Sequence, residues 1–172
     1  MKENTSEFHR QLRRHMQTDG TLQLLNDTEN FHILLKGLCQ SHPLEAWELC
    51  NLMKKEVAYT YDTYCIIVTG LNVNEYPFKA KAVLDDMCTL KWKPSSHIYC
   101  DWIKSLARNQ NQSLACWYFT AMLGKQIFPT SEFLEELLTE IDRSICLDKD
   151  QAKANLRHAY TEWDNARLTR FQ

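Results

Sequence analysis

The side chains that most often carry out chemistry are scattered along this chain and match no known catalytic pattern. Its six histidines include no HExxH pair or comparable metal-binding spacing. The sequence also contains no glycine-rich phosphate-binding loop and no GxSxG nucleophile motif. These observations predict a protein that binds rather than catalyses, with no cofactor and no bound metal.

Two further groups of reactive side chains have simple interpretations. Seven carboxylates lie between Glu132 and Asp150, and such a run usually forms the solvated face of a helix. A metal site there would need ligands that converge from separate elements. The seven cysteines are odd in number and include no CxxC pair, which indicates neither a disulfide framework nor a zinc site. We expect small buried thiols in a reducing compartment.

Composition and charge narrow the class of protein. The 172 residues are 44% hydrophobic, as in ordinary folded chains, and the four glycines and four prolines leave few turns. The net charge is −2, so any contact with RNA must come from a local basic patch. No apolar run approaches the roughly 20 residues that span a bilayer, and no secretory signal is visible.

One sequence pattern recurs at regular intervals along most of the chain. A shift of 35 residues places Tyr64 on Tyr99 and Met87 on Met122, and a looser copy precedes Tyr64 by 33 residues, at Phe31. Self-similarity at this period is typical of stacked two-helix units, each of which buries its apolar face against its neighbours. We therefore predict an all-α fold, an α-solenoid of stacked helix-turn-helix repeats.

The period divides the chain into three regions: an N-terminal helix and connector at residues 1–27, three repeats at 28–130 (28–60, 61–95 and 96–130), and a degenerate capping pair of helices at 131–172. Apolar residues at helical spacing predict the core. In the first helices these are Phe31, Leu34, Leu35 and Leu38, then Tyr64, Ile67, Val68 and Leu71, then Tyr99, Trp102, Ile103 and Leu106. Asp62 or Thr63 can cap the first helix of the second repeat, and we expect Trp102, Trp117 and Trp163 in the core rather than stacked on bases.

Both ends of the chain allow two interpretations. Phe8, Leu12 and Met16 form one stripe of an amphipathic helix. This segment is either an organelle transit peptide, which Glu3 and Glu7 argue against, or a partner helix for the first repeat. At the other end, residues 149–169 predict a helix that pairs with the helix at 131–144, either as a solenoid cap or as a docking helix for another protein.

The N-terminal end also lacks the aromatic helix that would complete a preceding repeat. Met16 precedes Phe31 by 15 residues, whereas Met53 precedes Tyr64 by 11, so the first junction is irregular. An apolar solenoid end without a polar cap is an association surface. We therefore expect self-association, or binding of further repeats, through the N-terminal end.

Two runs carry a more specific pattern, namely residues 30–39 with 45–49, and residues 63–71 with Ala80, Met87 and Pro94. Each has an aromatic residue, an apolar trio, a Gly-Leu pair and an alanine in the second helix. The pattern resembles the pentatricopeptide repeat over about residues 28–130. The 35-residue spacing fits that family, whereas tetratricopeptide repeats have a period of 34.

The resemblance implies an α-solenoid whose first helices line a groove for single-stranded RNA, mostly in mitochondria and chloroplasts. In members with a readable code, the residue after the repeat's aromatic and the last residue of the repeat together choose a base. Here the implied pairs are His32 with Thr60, Cys65 with Ser95, and Cys100 with Thr130. Typical readers have Asn, Thr or Ser at the first position and Asp or Asn at the second, and cysteine is a weak hydrogen-bonding group.

Two functions follow from the resemblance and from the positions where this sequence departs from the family's typical residues. The first is an RNA-binding protein that acts in mitochondrial RNA processing, stability or translation, although the chain shows no clear transit peptide. The alternative is a protein-interaction scaffold that uses the same groove without reading RNA sequence. Three repeats would contact only about three nucleotides, so binding to an organellar transcript should be weak without a partner. Lys36 and Lys104 occupy equivalent places in their repeats and are the predicted phosphate contacts.

Overall fold

A computed structural model describes residues 27–54, 59–124, 127, 129–145 and 148–169. These residues form helices and no strand, which confirms the all-α prediction. The helices are α1 (Thr28–Ser41), α2 (Pro43–Met53), α3 (Tyr61–Val73), α4 (Pro77–Thr89), α5 (Ser96–Arg108), α6 (Gln112–Gly124), α7 (Ser131–Arg143) and α8 (Lys149–Thr169). The predicted stripe of Phe8, Leu12 and Met16 lies outside the described residues.

The chain divides into two compact units, Met1–Ile67 and Val68–Gln172, and the division falls within α3. In the first unit, α1 packs against α2. In the second unit, α5 packs against α4, α6 and α7, and α8 packs against α6 and α7. The predicted pairing of the 149–169 helix with the 131–144 helix is therefore confirmed.

The helix bounds repeat with the period of the sequence. The helices α3, α5 and α7 each have 13 residues, and they begin at residues 61, 96 and 131, which are 35 residues apart. The helices α4 and α6 also have 13 residues and begin 35 residues apart, at 77 and 112. The breaks between helices therefore recur at the same repeat positions.

The recurring helix starts depend on side-chain caps. Asp27, Ser95 and Thr130 each accept a hydrogen bond from a backbone N–H in the first turn of the helix that follows. At α3 the capping hydroxyl belongs to Thr60, which accepts from the N–H of Thr63 at 3.3 Å. Neither Asp62 nor Thr63 is the N-cap residue, because the helix already begins at Tyr61. Thr63 nevertheless takes part in the cap, since its hydroxyl oxygen accepts from the Thr60 N–H at 3.1 Å.

The recurring helix ends share a left-handed residue that is not glycine. Glu75, Lys91 and Gln110 have φ values of 62°, 61° and 60°. At each position the next N–H donates back to a carbonyl of the preceding helix, as Tyr76 does to Leu71 at 2.8 Å. This Schellman arrangement satisfies carbonyls that the helix end would leave without partners. Glu75 and Gln110 are 35 residues apart, so this turn also follows the period.

Most of the predicted core is buried, but Leu38, Tyr99 and Trp163 are half-buried, and Leu34 and Trp117 are exposed. Leu34 is exposed because it lies on a flank of α1 that no described helix of the first unit covers. Trp117 is 62% exposed, although we predicted it in the core. It follows the buried Ala115 by two residues, which turns its side chain about 200° around the helix, away from the core. Trp102, by contrast, is buried, and its indole N–H donates to the Pro77 carbonyl at 2.9 Å.

The long helix α8 is the least buried of the described helices. Its 21 residues bury only Leu156, while Tyr160 and Trp163 are half-buried and contact each other at 5.6 Å between ring centroids. Among the described residues, no helix has the length and the apolar character that crossing a membrane requires.

Candidate functional site

The residues that the resemblance places at the ends of the repeats are all helix caps. Ser95 Oγ accepts from the Ile98 N–H at 3.4 Å, and Thr130 Oγ1 accepts from the Phe133 N–H at 3.1 Å. Thr60 occupies the same place before α3. A hydroxyl group that accepts such a bond still has its own proton to donate. These three side chains can therefore cap a helix and contact a ligand at the same time.

In the first repeat, the two candidate residues His32 and Thr60 meet through Thr63. The His32 Nε2 atom lies 2.7 Å from the Thr63 hydroxyl oxygen, and that oxygen lies 3.1 Å from the Thr60 hydroxyl oxygen. The Thr60 N–H also donates to Thr63 at 3.1 Å. Thr63 is fully buried, whereas His32 is half-buried and Thr60 is exposed. The arrangement fixes the Nε2 edge of the imidazole ring.

The second pair spans the division of the chain. Cys65 lies on α3 in the first unit, and Ser95 caps α5 in the second. Burial raises the pKa of the half-buried Cys65 thiol, with a smaller opposing effect from its hydrogen bond with Tyr61. The thiol therefore stays protonated and offers only a weak donor.

In the third repeat, both candidate residues line one groove between the first turns of α5 and α7. The groove has a volume of about 340 Å³ and is lined by Ser96, His97, Cys100, Asp101, Lys104, Thr130, Glu132, Phe133 and Glu136. Cys100 is only 7% exposed, and burial raises the pKa of its thiol to about 12, with a further increase from Asp101. The groove thus brings together a protonated thiol and the Thr130 hydroxyl.

Lys104, a predicted phosphate contact, lies in this groove between two carboxylates. Its Nζ atom is 2.8 Å from Glu136 and 3.2 Å from Asp101. Burial lowers the pKa of Lys104, but its hydrogen bonds to Glu136 and Asp101 together raise the pKa above its usual value. The same contact lowers the pKa of Glu136. The charge of Lys104 is therefore largely compensated within the protein.

The ion pairs continue along the two helices. Arg108 on α5 lies 3.2 Å from Glu140 on α7, and Arg143 approaches the same carboxylate at 3.4 Å. Lys36, which holds the place of Lys104 in the first repeat, is exposed, and no ion pair joins it to another described residue. Two lysines at equivalent sequence positions therefore have different electrostatic environments.

The sequence did not predict that carboxylates would line the groove. We interpreted Glu132 and Glu136 as part of a solvated helix face, and Asp101 was not singled out. The 35-residue alignment contains a signal, because it places Glu136 on Asp101, one residue after the candidate position Cys100. Within the described residues, no three His, Cys, Asp or Glu side chains are grouped so that they could hold a metal ion.

Comparison with known proteins gave no relative on which a family assignment could rest. No protein-family model matches the chain, and no curated protein matches it significantly.

Proposed function

We propose that this chain is a helical-repeat protein of the pentatricopeptide type, a solenoid that binds single-stranded RNA along its first helices. Its role would be non-enzymatic, in mitochondrial RNA processing, stability or translation. The observation that carries the proposal is the convergence of candidate residues. Cys100 and Thr130 line one groove, and His32 and Thr60 meet through Thr63. The recurrence of helix bounds at 35 residues supports the repeat type.

The groove chemistry sets the strength of this binding. Protonated thiols and threonine hydroxyls are neutral, so they suit base edges better than phosphate groups. Lys104 is compensated by Glu136 and Asp101, and phosphate contacts dominate the affinity of proteins for nucleic acids. RNA binding by this chain alone should therefore be weak, with little discrimination between sequences.

The groove charge also favours a second candidate function, a scaffold that binds a basic segment of another protein. Three carboxylates, Asp101, Glu132 and Glu136, line the groove together with a single lysine. Such a lining attracts a lysine or arginine side chain and repels phosphate. This function needs no base reading, so it is compatible with the departures at Cys65 and Cys100.

Fluorescence anisotropy distinguishes the two functions. The chain is titrated with pooled single-stranded RNA and, separately, with an arginine-rich peptide of similar length, at about 50 and about 200 mM salt. Glu136→Gln removes a groove carboxylate, so it should raise affinity for RNA and lower affinity for a basic peptide. Glu135→Gln is the matched control, because this neighbouring carboxylate is exposed and does not line the groove.

The outcomes separate cleanly. RNA binding that Glu136→Gln strengthens and Glu135→Gln leaves unchanged supports the RNA proposal. Peptide binding that Glu136→Gln weakens, without RNA binding at either salt concentration, overturns it in favour of the scaffold. If the chain binds neither the RNA nor the peptide, the groove is not the functional site.

A further inference from the structure

One flank of α1 differs from the equivalent flank of every later first helix. It comprises Asn30, Leu34, Gly37 and Leu38, which lie on one side of the helix at i, i+4, i+7 and i+8. Leu34 is 40% exposed, Asn30 and Gly37 are exposed, and Leu38 is half-buried. We call these four residues the N-terminal flank.

The repeat alignment supplies an internal reference for this flank. Leu34 corresponds to Ile67, Trp102 and Leu137, which are 2%, 1% and 0% exposed. Leu38 corresponds to Leu71, Leu106 and Ile141, which are 1%, 1% and 0% exposed. An apolar residue therefore occupies each position in every repeat, and in α1 alone both are accessible.

The second unit shows what covers such a flank. The helix α5, the first helix of the preceding repeat, packs against α7, and Arg108 of α5 lies 3.2 Å from Glu140, the α7 residue that corresponds to Gly37. The flank of a first helix is thus a helix-binding surface. By the same geometry, the N-terminal flank of α1 requires a helix that presents an apolar stripe.

We propose that the chain's own residues 8–16 occupy the N-terminal flank as an amphipathic helix. Phe8, Leu12 and Met16 provide the apolar stripe at i, i+4 and i+8. Nine residues of helix span about 13.5 Å, enough to cover Leu34 and Leu38, which are one turn apart. Ten residues, 17–26, connect Met16 to Asp27, and an extended chain of that length reaches about 33 Å. The connection therefore allows the helix to lie along α1.

Charge supports this occupant. Residues 8–16 contain three arginines and no carboxylate. The described residues of the first unit contain five carboxylates and two lysines. A basic helix is therefore attracted to this unit, and its tether keeps it at an effective concentration of about millimolar. A second copy of the chain, which the sequence alone suggested through self-association, competes at a far lower concentration.

The test is hydrogen–deuterium exchange on the full chain, followed by mass spectrometry of peptides that cover residues 8–16. In the wild type, these amides should exchange at least roughly tenfold more slowly than the same amides in a free peptide. Leu34→Glu places a charge on the flank and should abolish this protection. Gln40→Glu is the matched control: Gln40 is exposed, and its equivalents Val73, Arg108 and Arg143 are exposed in every later repeat.

Gly37→Arg is a second variant that does not disturb the fold of α1. A Cβ atom added at Gly37 meets no neighbouring heavy atom within 4 Å, and arginine favours helix more than glycine does. The long side chain should displace the docked segment, so protection of residues 8–16 should again disappear while α1 keeps its own.

Three results would overturn the proposal. In the first, residues 8–16 show no protection in the wild type. In the second, their protection survives both Gly37→Arg and Leu34→Glu. In the third, light scattering at about tens of micromolar finds a dimer that Leu12→Glu converts to a monomer, and protection of residues 8–16 depends on that dimer. The occupant would then be a second copy of the chain.

Discussion

At the scale of single residues, two buried side chains in the second unit have unpaired polar atoms. Among the described residues, the Ser105 hydroxyl and both amide atoms of Asn72 have no hydrogen-bond partner, and the two residues are 0% and 3% exposed. A buried polar group without a partner costs about 1–3 kcal/mol. Gly70 takes the place of Ser105 in the preceding repeat, so the position does not require a hydroxyl group.

We therefore expect Ser105→Ala to stabilise the protein. The change removes the unpaired hydroxyl and slightly raises helix propensity, so the free energy of unfolding should rise by about 1 kcal/mol. Ser113→Ala, at an exposed position on α6, is the control and should have a smaller effect. Urea denaturation measures both, and a loss of stability in Ser105→Ala would show that the hydroxyl group has a partner in solution.

The buried thiols predict how stability depends on pH. Burial raises the pKa of Cys50 and Cys100 from 9.0 to about 12, so the folded chain keeps both protonated while the unfolded chain ionises. Their contribution is therefore complete below about pH 9 and is lost as the pH rises towards 12. The free energy of unfolding should therefore fall between about pH 9 and about pH 12. Cys100→Ala should reduce that fall, and a stability that rises over this range would contradict the account.

At the scale of elements, the cooperative structure rests on equivalent apolar residues of successive first helices. Leu71 and Leu106 occupy the same repeat position, and each is 1% exposed. Both belong to the second unit, which contains α4–α8 and the end of α3. Truncation at either position leaves a cavity that a packed core fills poorly.

Leu71→Ala and Leu106→Ala should each lower the free energy of unfolding by about 2–5 kcal/mol. Leu114→Ala is the control, because Leu114 is exposed on α6 and its truncation should cost much less. Equilibrium denaturation measures all three variants. A loss below about 1 kcal/mol at both core positions would refute the assigned repeat register.

The helices could be predicted from the sequence because their determinants are local. Apolar spacing, Pro43 and Pro77 at helix starts, and capping side chains all act within a few residues. The errors have equally local causes: Thr60 caps the helix two residues before Asp62, and Trp117 lies two residues after the buried Ala115. Exposure of Leu34 could not be predicted locally, because burial at that position depends on a preceding helix.

At the scale of the whole molecule, charge distribution decides which surface can meet a polyanion. On α5, Lys104 and Arg108 pair with carboxylates of α7, whereas Lys36 on α1 is exposed. The sequence treats Lys36 and Lys104 as equivalent, since each lies five residues after the repeat's aromatic. Their difference arises from the contact of Lys104 with Glu136, which is 32 residues away in the chain, and no local pattern encodes such a contact.

The measurement that tests the central claim most directly is the salt dependence of binding to pooled single-stranded RNA, for the wild type, Lys36→Ala and Lys104→Ala. A lysine that contacts one phosphate contributes about 0.7 to the slope of log affinity against log salt on single strands. Lys36→Ala should therefore lower affinity for all sequences about equally and make the slope shallower by about 0.7. Lys104→Ala should change the slope less, because Glu136 and Asp101 already compensate its charge. An unchanged slope in Lys36→Ala, or no RNA binding by the wild type at about 50 mM salt, would contradict the account.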